Sequence, residues 1–254
     1  MKKLFALTAI MLSLLLIAAP FMVCAQEGST AETQEEERTL EEKYNDAVLA
    51  SLYEADIVSM REALDLGLLT CEELTAYYLE RIESYNDEYN CFITMCDDAL
   101  EIAREKDEQM AAGEASGSLF GIPVVIKDNM DYAGYHTTNG HTKTDDQIAD
   151  ENAEIAQYLL DEGAVIIGKT NMSTDAEDTR ASASAAAGET KNAYNSGLAS
   201  GGSSGGSAVA VSLNFAAAGL GTDTNSSLRY PAALNGCVSL RSTWNRFPWM
   251  ASPH

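Results

Sequence analysis

The chain has 254 residues, with 39 acidic side chains against 16 basic ones and a net charge of −23. Such a balance argues against a nucleic-acid partner and repels anionic lipid. The length suffices for one sizeable core, and the cysteines form no CxxC pair and have no histidine nearby, which is not a metal-site pattern; no cofactor is expected.

Lys2 and Lys3 precede an apolar run over 4–23, and Val23-Cys24-Ala25 places small residues before a cleavage point, so residues 1–25 read as a signal peptide. The mature chain is then exported, with no stable membrane insertion. Lipid anchoring at Cys24 and an uncleaved anchor stay open as alternatives. Removing Lys2 and Lys3 lowers the net charge by two, to −25. Residues 26–43 are acidic with few large apolar groups and read as a disordered leader. Cys71, Cys91, Cys96 and Cys237 remain; Cys91 and Cys96 are either a short disulfide or two buried thiols.

Ile57, Met60 and Leu64 share a helical face that Gly67 ends, and Thr70 with Glu73 forms a capping box for a second helix. Leu74, Tyr77, Tyr78, Ile82 and Tyr85 make that helix's packing face. A third helix is expected over 97–110 and a loop over 113–118. The apolar run 119–128 reads as a buried strand with Lys127 near its end. Burying an ammonium is costly unless it is paired or deprotonated. Asp128 belongs to the opposite face of the strand, so Lys127 has no local carboxylate. It is either a surface lysine at a strand end or a functional group. Ile155, Ala156, Leu159 and Leu160 mark a helix opened by Asp150 and Glu151, which feeds a strand over 164–169. Strand, helix, strand implies α/β architecture. Residues 172–199 are long and irregular, which fits a functional loop.

Ser200-Gly201-Gly202-Ser203-Ser204-Gly205-Gly206-Ser207 and, further on, Gly221-Thr222-Asp223-Thr224-Asn225-Ser226-Ser227-Leu228-Arg229 surround serines with small residues. Their backbone N–H groups can then turn toward a small anion or a polarised carbonyl. A flexible linker is the plain alternative for the first stretch. Against it, the run from Ala208 onward is apolar and reads as a helix whose N-terminal N–H groups face the serines. A strand over 216–221 then delivers Ser227 into a turn, and 237–240 reads as another strand.

Together these residues resemble the amidase signature family, the Ser-Ser-Lys amidohydrolases. The likeness rests on Gly121-Ile122-Pro123-Val124-Val125-Ile126-Lys127-Asp128-Asn129, Thr137-Thr138, Lys169-Thr170-Asn171-Met172-Ser173, Thr190-Lys191-Asn192-Ala193-Tyr194 and the two serine stretches, with Pro231-Ala232 after them. It implies an α/β fold with a central mixed sheet flanked by helices, and makes 44–243 the N-terminal part of an amidase domain. The resemblance implies hydrolysis of the C–N bond of a small, linear, non-peptide amide. Ser227 would be the nucleophile, Ser203 the bridging serine in a cis peptide after Gly202, and Lys127 the base.

The chemistry suits those roles. A desolvated lysine lowered by ~3 pKa units, worth ~4 kcal/mol, can take a proton from Ser203, which takes one from Ser227. Backbone N–H groups of Thr224, Asn225, Ser226 and Ser227 would form the oxyanion hole. Asp223 and Arg229 would support the turn, while Ser182 and Ser184 would lie near the substrate. Two glycines are usual before the nucleophile; here Asn225-Ser226 stands there, and asparagine tolerates a positive φ. Family members also continue well past the counterpart of 238–243, whereas 244–254 diverge, so the expectation is a domain with its C-terminal part missing. The alternative functions are an inactive exported fragment and one component of a transamidase-type amidotransferase. A Ser-His-Asp hydrolase is disfavoured because His136 and His141 sit in a turn-rich segment, and a P-loop because Ser207, not lysine, follows Gly206.

Overall fold

The computed structural model describes residues 50–243 and Arg246. The expectations for the signal peptide, the acidic leader and, save Arg246, the tail lie outside these residues. Of two compact units, Met1–Leu52 and Tyr53–His254, the second holds every element that follows.

Helix α1 (Ile57–Asp65) starts on Asp56, whose carboxylate accepts the Ser59 N–H at 2.7 Å, and it buries Met60 and Leu64. Helix α2 (Cys71–Tyr89) opens with the expected capping box: Thr70 Oγ1 accepts the Glu73 N–H at 3.0 Å, and Glu73 accepts the Thr70 N–H at 2.9 Å. Its buried face is Cys71, Leu74, Thr75, Tyr78 and Ile82. Tyr85 is exposed instead of packed, and Arg81 lies over its ring. Strand β1 (Phe92–Met95) leads to α3 (Ala99–Ala112), which Gly113 ends in a left-handed conformation.

Strand β2 (Pro123–Lys127) is shorter than the expected 119–128. Gly121 sits at φ +74° in a turn and a Cβ there would collide with Cys71, so the pleat cannot begin earlier. Helix α4 (Glu154–Asp161) begins later than Asp150 and Glu151 because the chain before it is tied elsewhere. The Ala133 N–H donates to Asn152 at 2.8 Å and the Ala153 N–H to the Asp131 carbonyl at 2.9 Å. Strand β3 (Val165–Thr170) follows, then a short hairpin of β4 (Ala183–Ser184) and β5 (Gly188–Glu189), which interrupts the expected irregular loop. Helix α5 (Gly205–Ser212), β6 (Ala218–Gly219) and α6 (Arg229–Leu234) complete the described elements.

The main sheet has the order β1-β3-β2-β6, with β1 antiparallel to β3 and the other two pairings parallel. It is the mixed sheet that was expected. Every residue of β2 and β3 is buried, as central parallel strands covered on both faces must be. Helix α2 lies against β2 and β3, and α5 against β2, β3 and β6. The expected strand over 216–221 shrinks to two residues. That over 237–240 does not form: no described residue pairs with it, and Val238 and Leu240 are exposed. Cys71, Cys91 and Cys96 are buried free thiols, so the 91–96 disulfide alternative falls away.

Candidate active site

The glycine-serine stretch is not a linker. Helix α5 begins inside it, at Gly205, and residues 201–210 are all buried. Its glycines are there because backbone comes too close for a side chain. A Cβ on Gly202 would strike the carbonyl oxygens of Asp178 and Ala181, and one on Gly206 the backbone of Asn171. The Gly202–Ser203 peptide bond is cis, as the resemblance implied.

Into this loop reaches Lys127 from the C-terminal end of β2. It has no exposed surface, and its Nζ donates to Ser203 Oγ at 2.6 Å and to Thr222 Oγ1 at 2.7 Å. No carboxylate of the described residues hydrogen-bonds to it. Burial therefore dominates and lowers its pKa to about 7, with the more distant charge of Asp223 pulling the other way. Of the two readings left open by the strand alone, the surface lysine is excluded. Asp128 points away, as alternation requires, and accepts the Thr138 N–H and hydroxyl.

Ser227 is buried on the turn between β6 and α6. Its carbonyl accepts the Ser204 N–H at 2.9 Å, which fastens the second serine stretch to the first. Asp223 organises that turn: it accepts the Ser226 N–H at 2.8 Å, the Leu228 and Arg229 N–H groups at 3.3 and 3.2 Å, and the Arg229 guanidinium at 2.9 and 3.1 Å. Burial works to raise its pKa, but the bonds from Arg229 and the backbone outweigh that and hold it at about 2. Asp223 and Arg229 are thus the turn's supports.

Two expectations for the turn change. The positive φ falls on Ser226, at 75°, and not on Asn225. The Ser226 N–H is taken up by Asp223, so it is not free for an oxyanion. The N–H groups of Thr224, Asn225 and Ser227 bond to no other described residue. Ser182 changes role as well. It is fully buried; its hydroxyl is shared between the Gly201 and Ser203 carbonyls at 3.0 and 3.1 Å, and it accepts the Gly205 N–H at 2.7 Å. With its hydroxyl engaged in the loop, it braces the serines from inside. Ser184 accepts the Ala187 N–H at 2.9 Å and shapes the β4–β5 turn.

A family model described as Amidase matches residues 73–251. The chain belongs to the amidase signature family. It is 39% identical over 194 residues to a glutamyl-tRNA(Gln) amidotransferase subunit from Thermoanaerobacter pseudethanolicus, covering 76% of this chain and 39% of that one. The corresponding subunit of Lachnospira eligens is also 39% identical, over 195 residues, 76% of this chain and 40% of that one. Among solved structures, the peptide amidase of Stenotrophomonas maltophilia superposes with a TM-score of 0.68 at 35% identity, over 72% of this chain and 39% of that one. An amidase family protein from Bacillus anthracis gives 0.71 at 31% identity, over 80% and 42%. The chain spans about two fifths of the length of these relatives.

Within this amidase domain the sequence reading overlooked three residues around the lysine. Thr222 takes a hydrogen bond from Lys127, Asn129 donates to the same hydroxyl at 3.4 Å, and Ser204 exchanges 3.2 Å contacts with the Thr222 backbone. All three lie inside the motif blocks, but which of a block's polar residues turns toward the lysine depends on how distant loops meet.

Proposed function

We propose that this chain provides the acyl-transfer machinery of an amidase, with Ser227 as nucleophile, Ser203 as proton bridge and Lys127 as base, and that the substrate is a small, linear, non-peptide carboxylic amide. The observation that carries the reading is the wholly buried Lys127, free of any hydrogen-bonded carboxylate among the described residues, 2.6 Å from Ser203 Oγ. A lysine titrating at about 7 is substantially neutral near pH 7 and able to accept a proton. In the proposed step, Lys127 takes the Ser203 proton while Ser203 takes that of Ser227, whose Oγ attacks the amide carbon. The carbonyl oxygen becomes an oxyanion, for which the unengaged N–H groups of Thr224, Asn225 and Ser227 are the available donors, each worth ~3 kcal/mol to the transition state. Collapse breaks the C–N bond, and the proton returns through Ser203 to the leaving nitrogen. Water then attacks the acyl-serine by the same relay and releases the acid.

The test is covalent labelling of Ser227 by a fluorophosphonate, followed by mass spectrometry, alongside hydrolysis of a panel of simple amides. Labelling lost in Ser227→Ala and strongly slowed in Lys127→Ala is the expected result; labelling that survives Ser227→Ala sinks the assignment.

A second reading is favoured by the curated relatives, which are named amidotransferase subunits. There the ammonia released from a donor amide would pass to the activated carboxyl group of a second acceptor, while water still releases the acyl group from Ser227. The basic start and apolar run of residues 1–23 favour hydrolysis in an exported protein. Tracing the nitrogen of an isotope-labelled amide, into free ammonia or into the amide of an added acceptor, separates the two.

A further inference from the structure

Asp128 and Lys169 form a buried charge pair, Asp128 lying one residue past Lys127 and on the sheet's other side. Both are wholly buried. Lys169 Nζ donates to the His136 carbonyl at 2.5 Å and to Thr137 Oγ1 at 2.6 Å, and lies 3.8 Å from Asp128 Oδ1. That oxygen has no hydrogen bond among the described residues, so Lys169 is its counter-charge. The other oxygen, Oδ2, accepts the Thr138 N–H at 3.0 Å and the Thr138 hydroxyl at 2.5 Å, and Thr138 Oγ1 in turn accepts the Gly140 N–H at 3.1 Å. The pair therefore builds the turn over 138–141 and sets where the Gly140 carbonyl points.

Two segments hang from that carbonyl. It accepts the Thr174 hydroxyl at 3.2 Å and the N–H groups of Ala185 and Ala186 at 2.9 and 3.2 Å. Next to Thr174 is Ser173, whose N–H donates to the Ser203 carbonyl at 3.3 Å. Shortly before Ala185 is Ser182, whose hydroxyl reaches the same Ser203 carbonyl at 3.1 Å. Both grips on the Ser203 backbone thus return, through Gly140, to one carboxylate oxygen of Asp128. Its neighbour Lys127 holds the Ser203 side chain directly.

We infer that Asp128, held by Lys169, is a positioning residue for Ser203: it fixes the serine's backbone through the 138–141 turn while Lys127 holds the hydroxyl. The inference rests on the proposed role of Ser203 as the proton bridge. It assigns a task to a buried charge pair that the acyl-transfer steps leave unused. A buried hydrogen-bonded ion pair whose only effect were stability would be an inefficient choice, since apolar residues of similar volume do that job as well or better.

Residue-resolved amide hydrogen exchange on the folded chain tests the coupling without requiring turnover. Asp128→Ala, and Thr138→Val as a milder variant that keeps the shape and both charges, are compared with Leu74→Ala in α2 as a core control. Exchange at Ser173 and Gly205 should rise about tenfold or more in Asp128→Ala and several-fold in Thr138→Val, with Asp128→Asn intermediate. The α2 amides should change little in these variants and rise in Leu74→Ala. Unchanged exchange at Ser173 and Gly205 in Thr138→Val, or an equal rise there in Leu74→Ala at matched stability, overturns the inference. Fluorophosphonate labelling of the same proteins judges the underlying mechanism separately. A wild type that is not labelled at Ser227 overturns the catalytic reading, whereas a labelled wild type with Thr138→Val labelled several-fold more slowly supports both.

Discussion

Lys127 and Lys169 occupy neighbouring places on β2 and β3, each wholly buried, and yet their surroundings differ. Lys127 bonds only to the hydroxyls of Ser203 and Thr222 among the described residues, and burial lowers it to about 7. Lys169 has the Asp128 carboxylate at 3.8 Å and a backbone carbonyl at 2.5 Å; burial still lowers it, to about 8, but Asp128 and then Asp131 oppose the shift. Burial alone does not make a base. Withholding a close carboxylate adds to burial's effect, because the ammonium form then has only two neutral hydroxyls and the more distant charge of Asp223 to hold it.

The largest effect that could break this contrast is on rate. Replacing Lys127 with methionine should cut Ser227 labelling about 10³-fold, within the usual reach of general base catalysis, and Ser227→Ala should abolish it. Lys169→Met should show the opposite emphasis. It strands the Asp128 charge in the interior and should cost about 3–5 kcal/mol in urea unfolding, whereas Lys127→Met strands no hydrogen-bonded carboxylate and should cost far less. Equal stability losses in the two would erase the distinction.

The pH dependence sharpens it. Labelling should rise with pH through about 7 as Lys127 loses its proton. Its pKa is lowered on folding from 10.5, so from about 7 upward the unfolded chain binds more protons at this group and folding stability should increase with pH, up to about 9, where the buried thiols of Cys71, Cys91 and Cys96, raised on folding, begin to work the other way. Lys127→Met should flatten this rise in denaturation midpoints and leave the narrower part, between about 8 and about 9, that Lys169 contributes. The smallest expected change is from Thr222→Val, which removes one neutral acceptor from the lysine and should slow labelling about tenfold or less.

Much of this was legible in the chain itself. Capping residues and spacing announced α2, because a helix start is a local matter of Thr70, Glu73 and the N–H groups they satisfy. The serine stretches and the lysine at a strand end announced the family, since several such blocks stand in the same order along the chain. Less legible were short elements whose existence depends on a partner: β6 is two residues because β2 meets it only there, and 237–240 has no partner among the described residues. For Ser182 the resemblance offered only nearness to the substrate, and its distance from Ser203 along the chain hides that its hydroxyl is used within the loop.

The chain's residue types and local periodicities thus determined which helices form, that strands alternate with them and that a lysine stands among apolar neighbours. Only the tertiary structure decided that this lysine meets Ser203 and Thr222 while Lys169 meets Asp128. The two bonds of Lys127 join residues 76 and 95 positions apart. Only the register of β2 against β3 and the closing of the serine loop bring such groups within hydrogen-bond reach, and propensity along the chain carries no information about that meeting.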